Sequence, residues 1–138
     1  MTDTETILTA LPARALVVNG DCFADIAHAR DAAGAFAGGL DPSPSRETAQ
    51  ALALVVSELT TNALRHGGGR YTLRLTAGPD ALEVAVSDLS PTPPREREPA
   101  LHTSGGGFGW PLIRGLTSEV SIIPGPDGGK TIHACLPR

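Results

Sequence analysis

Lysine is nearly missing from this chain. Ten of its eleven basic residues are arginine, and Lys130 is the one lysine. Fifteen carboxylates outweigh them, leaving a formal net charge of -4, and no basic stripe runs through any segment. That excludes a general nucleic-acid binder, which carries a clustered positive footprint. Cysteine is scarce too, and Cys22 and Cys135 lie far apart in no CxxC or metal-ligand spacing. No uninterrupted apolar run approaches the ~20 residues of a membrane-spanning helix. The opening MTDTETIL has neither the basic start nor the apolar core of a secretory signal. A cytoplasmic location is therefore expected, with no direct contact to nucleic acid or membrane. Internal repeats are absent as well.

What remains is 138 residues, 41% hydrophobic and 19% charged. This suits one compact domain and is too apolar for wholesale disorder. Residues 1–13 read as a tail and 14–138 as the domain. RALVVN (14–19) predicts a strand, and Asp21 is placed to cap a helix through FADIAHARDAAGAFA that Gly38-Gly39 stops. Ser43 and Pro44 read as the N-cap and first position of a second helix, which reaches His66 and ends at Gly67-Gly68-Gly69. YTLRLTA (71–77) and ALEVAVSD (81–88) alternate apolar and polar residues around Gly78-Pro79-Asp80, as a hairpin does.

From 89 to 106 the pattern collapses into proline, charge and glycine, a stretch longer than an ordinary connection. A short helix, WPLIRGLT, and two strands, EVSIIP and KTIHACLP, joined by GPDGG, complete the chain. This order predicts an α+β two-layer sandwich: a mixed, mostly antiparallel sheet with helices on one face.

Chemistry concentrates in the second helix. Leu52, Val55, Val56, Leu59 and Ala63 form its apolar stripe. Glu58, Asn62 and His66 follow one another at intervals of four, so they stack in a row. Each step of four advances about 40° around the axis, and the row drifts towards the stripe. A carboxylate and an amide buried there unpaired would cost roughly 1–3 kcal/mol each. Either nearby backbone or Arg65 satisfies them, or they serve a ligand. Glutamate can act as a general base towards a hydroxyl or water, and an asparagine oxygen can join a Mg²⁺ shell. His66 alone suits a helix C-terminus equally well.

Two later segments supply what such a pair needs. Asp88 ends a strand, where it either opens a turn or accepts a hydrogen bond from an exocyclic amine. Gly105, Gly106, Gly107 and Gly109 run into a helix with an early Pro111, which forms an anion site, a hinge, or both. GGKT (128–131) is no P-loop, because its upstream Gly125 is one residue too close and too little chain follows for a helix. The glycines at 105–109 follow no first βαβ strand, which removes a dinucleotide site. Four scattered histidines form no metal cluster.

ELTTNALRHGGG, VSDLSPTPP, GFGWPLI and GGKT, in that order, resemble the boxes of the GHKL (Bergerat-fold) ATPases. The likeness is strongest to the small anti-sigma factor serine kinases, and it runs from about residue 14 to the end. It implies the sandwich fold, with ATP and Mg²⁺ as cofactors. It places the general base on Glu58, the Mg²⁺ ligand on Asn62 and the reader of the adenine amine on Asp88. It adds His66, Ser90, Gly105, Gly107, Phe108, Gly109, Trp110 and Thr131 as nucleotide contacts, with Thr131 beside Asp88 and residues 89–106 as a lid. Lys130 receives no role.

The resemblance further implies a serine/threonine kinase that phosphorylates an anti-sigma factor antagonist of the STAS type and sequesters a sigma factor, in a branch that commonly forms homodimers. Ser90 stands where the wider family has glycine, and Trp110-Pro111 where leucine and a small residue are usual. Trp110 suits the core better than the nucleotide mouth. These departures support a second expectation, a nucleotide-binding sequestering module with weak catalysis. A third, a detached sensor histidine kinase domain, is disfavoured because no phospho-acceptor or dimerisation helix precedes the domain.

Overall fold

The computed structural model describes residues 14–91 and 109–138. Five strands form one sheet: β1 (Arg14–Gly20), β2 (Tyr71–Ala77), β3 (Ala81–Asp88), β4 (Glu119–Pro124) and β5 (Lys130–Pro137). Three helices accompany them: α1 (Ala24–Gly38), α2 (Arg46–His66) and α3 (Gly109–Leu116). The strand order is β1-β2-β3-β5-β4, and every pairing is antiparallel. The architecture is the expected α+β sandwich. The expected parallel component does not form a pairing. β3 and β4 run the same way, but β5 lies between them and pairs with both.

Period-two alternation decides which side chains meet the helices. Leu73 and Leu75 of β2, Leu82, Val84 and Val86 of β3, and Ile132, Ala134 and Leu136 of β5 are buried on that face. α2 lies over them with Leu52, Val55, Val56, Leu59 and Ala63, its predicted stripe, together with Thr60. Thr60 is fully buried because its hydroxyl donates back to the Val56 carbonyl at 2.7 Å. α1 adds Ala29, Ala33, Phe36 and Ala37, and α3 adds Ile113.

Two caps differ from the sequence expectation. The α2 N-cap is Ser45, whose hydroxyl oxygen accepts from the Thr48 N–H at 3.1 Å, and Pro44 lies outside the helix. Both serines suit a cap, and Ser45 is the one that takes it, its hydroxyl also donating to the Thr48 hydroxyl at 3.2 Å. At α1, Asp21 does not cap. The Asp25 carboxylate reaches back to accept from the Asp21 N–H at 3.0 Å and the Cys22 N–H at 3.3 Å. α3 begins at Gly109, so Pro111 sits in the first turn, where its missing N–H leaves no bond unmade. No helix among the described residues is long and apolar enough to cross a membrane.

Candidate functional site

The row on α2 ends against the sheet. His66 is the last helical residue and Gly67 the C-cap. The Gly67 carbonyl accepts from the Leu89 N–H at 2.9 Å, which ties the end of α2 to the residue after β3. A Cβ on Gly67 would stand 2.6 Å from the Asp88 carboxyl, and one on Gly129 would collide with the Asp88 main chain. Asp88 is thus held in a slot that only glycine leaves open on both sides. Gly68 continues the turn at φ +97°, a region open to glycine at little cost.

Glu58 and Asn62 are half-buried, and His66 is exposed at the helix end. Among the described residues, neither the Glu58 carboxylate nor the Asn62 amide has a hydrogen-bond partner. Burial raises the Glu58 pKa above its ordinary 4.5, and the charge of Arg65 offsets part of that rise without forming an ion pair. Two polar groups half-withdrawn from water and unbonded among the described residues are free to take up a ligand. Of the two alternatives open in the sequence, satisfaction by neighbours finds no partner for this pair among the described residues.

Asp88 does more than one thing. Its Oδ1 accepts the Ser90 N–H at 2.9 Å, the turn-opening use of an aspartate. Its carboxylate also holds the ammonium of Lys130, at 2.9 Å from Oδ2 and 3.1 Å from Oδ1. Lys130 donates further to the Ser90 carbonyl at 3.1 Å. Both side chains are almost closed to solvent, 6% exposed for Lys130 and 3% for Asp88. The sequence left Lys130 without a role; strand register supplies the missing signal, because β5 sets it opposite Asp88.

Thr131, expected beside Asp88, lies on the other face of the sheet. It is in register with Ser87, and the two hydroxyls are 2.8 Å apart. Trp110 packs against the hydrophobic core, with the Arg114 guanidinium 5.9 Å from its ring centroid. Gly109 opens α3. Gly105, Gly107, Phe108 and most of the 89–106 segment lie outside the described residues.

A cleft of about 420 Å³ opens at the sheet end, its lining including Asn19, Asp25, Tyr71, Asp88 and Leu89. Tyr71 donates its hydroxyl to the Asp25 carbonyl at 3.1 Å. Burial, reinforced by the charge of Asp25, pushes its pKa up.

The residues fit a metal-nucleotide on their own chemistry. An unbonded carboxylate and an amide oxygen stand one turn apart, and an aspartate sits in a glycine slot at the foot of the same helix. The chain matches the family model of the histidine kinase-like ATPase domain over residues 23–135. No curated protein matches it in sequence. Among solved structures it is similar to a chain of the SiaB–SiaC complex from Pseudomonas aeruginosa. There the TM-score is 0.58 and the identity 15%, with 89% of each chain covered, a likeness of fold.

Proposed function

The chain belongs to the histidine kinase-like ATPase family, and from that premise we propose that it is an ATP-dependent protein serine kinase of the anti-sigma factor type. The observation that carries this reading is the unbonded, half-buried Glu58–Asn62 pair. Its substrate would be a serine of a small STAS-type antagonist protein, and the protein it holds in check a sigma factor. The fold likeness to a chain of a two-protein complex supports a role exercised through a protein partner.

Glu58 is the proton acceptor. Withdrawal from water raises its basicity above that of an ordinary glutamate, and the charge of Arg65 offsets part of that rise. It takes the proton of the serine hydroxyl as that oxygen attacks, a contribution worth about 10²–10⁴-fold in rate. Asn62, one turn on, offers a neutral amide oxygen suited to an octahedral magnesium shell. Asp88, fixed by the two glycines, accepts from the base of the nucleotide. Magnesium-bound ATP, when present, supplies the γ-phosphoryl group and the cation that offsets its charge.

The test is incubation of the purified chain with γ-labelled ATP and candidate antagonists recovered by co-purification. Label should pass to an antagonist serine, and Glu58→Ala should abolish transfer while nucleotide still binds. Capture of partners without label would instead mark a sequestering module with weak catalysis. Transfer unchanged in Glu58→Ala would remove the proposed base.

A further inference from the structure

Lys130 occupies the acceptor that a purine amine would need. Its three ammonium protons meet three oxygens, Asp88 Oδ2 at 2.9 Å, Asp88 Oδ1 at 3.1 Å and the Ser90 carbonyl at 3.1 Å, so the lysine is fully satisfied where it stands. Asp88 Oδ1 already takes the Ser90 N–H as well. Gly67 closes on one side of the carboxyl, and Gly129 packs on the Asp88 main chain. An arriving base therefore meets an aspartate committed to a charge-assisted pair, which is roughly twice as strong as the neutral bond an exocyclic amine offers.

We propose that Lys130 is an internal plug of the base site. It competes with the exocyclic amine of adenine for Asp88 and so sets both the affinity and the purine selectivity of the chain. This rests on the nucleotide reading of the site above. The two events are antagonistic: binding the amine loosens the lysine from Asp88 and from the Ser90 carbonyl. Entry of the base is thereby coupled to release of the first residues after β3. By linkage, the pair weakens nucleotide binding by the same factor as the nucleotide weakens the pair.

The experiment titrates wild type and Lys130→Met with Mg·ATP and Mg·GTP by calorimetry, with thermal melts beside them. Methionine keeps the length and apolar stem of lysine and removes the competing charge. The melting temperature should fall, because Asp88 loses its buried partner. ATP should bind about tenfold more tightly, and the preference for ATP over GTP should widen. If both proteins bind ATP equally, or the variant binds it more weakly, the plug is refuted and the nucleotide reading stands. If neither binds any nucleotide, that reading fails and the plug with it.

Should the variant not fold, wild type alone decides. Lys130 is the one ε-amine in the chain, so acylation followed by mass spectrometry reads it without ambiguity, the α-amine serving as internal standard. Saturating ATP should accelerate its modification, whereas an unchanged or slower rate contradicts displacement.

Discussion

Gly67 gives Asp88 its place: a single methyl at the end of α2 would stand 2.6 Å from the carboxyl at the end of β3. The requirement is for space, since Gly67 has φ -109° and needs no left-handed backbone. Helix end and strand end are joined at the same point by the Leu89 N–H to Gly67 carbonyl bond. The proposed base site is therefore a property of how α2 stops.

Gly67→Ala should accordingly damage binding more than folding. ATP affinity measured by calorimetry should fall by at least about tenfold, with a modest drop in melting temperature. Gly115→Ala serves as control, because a Cβ there meets nothing within 4 Å. It should leave affinity unchanged and stabilise α3 by up to about 1 kcal/mol.

The raised pKa of Glu58 fixes the sign of two pH effects. Phosphoryl transfer should rise with pH as Glu58 loses its proton, with a midpoint above the ordinary value of 4.5, and Glu58→Gln should erase that limb. The folded state binds this proton more tightly than the unfolded chain does. Glu58 therefore subtracts stability as pH rises from 4.5 through the raised value. Melts of Glu58→Gln against wild type at neutral pH should show the variant at least as stable, although it is inactive. A variant clearly less stable there would mean the carboxylate has a bonded structural role.

Stability away from the site rests on the α2 cap and stripe. Ser45→Ala should cost about 1 kcal/mol, and Leu59→Ala about 2–5 kcal/mol, both read by urea unfolding. Ser43→Ala should cost nothing measurable, since Ser45 is the cap.

Much of this was legible in the chain before its structure. Strict alternation in YTLRLTA and ALEVAVSD fixed their strands, and the 3.6-residue stripe of α2 fixed its buried face, because burial follows those periods directly. Local competition was harder to read. Ser43 and Ser45 are equivalent as letters, and only hydrogen bonding to Thr48 chooses between them. Asp25 supersedes Asp21 because it can reach back to two N–H groups at once. Pairing across the sheet was out of reach altogether. That Lys130, not Thr131, faces Asp88 follows from the β3–β5 register, which joins residues about forty apart and leaves no trace in local spacing.

The thiols should differ in reactivity. Cys22 is exposed, whereas Cys135 is half-buried on β5, with its pKa pushed up by burial and by the charges of Glu83 and Glu119. Limited alkylation at pH 8 followed by peptide mapping should label Cys22 first, since Cys135 is both less accessible and harder to deprotonate than an ordinary thiol. Equal labelling would place Cys135 in a more open sheet face than the one described.

Titration of the folded chain with ATP, with and without magnesium, puts the Glu58–Asn62 site to its most direct trial. Saturable one-to-one heat is expected with Mg·ATP, weakened at least about tenfold either by chelating the metal or by Asn62→Ala. An absence of heat, or one affinity indifferent to both magnesium and Asn62, would contradict it.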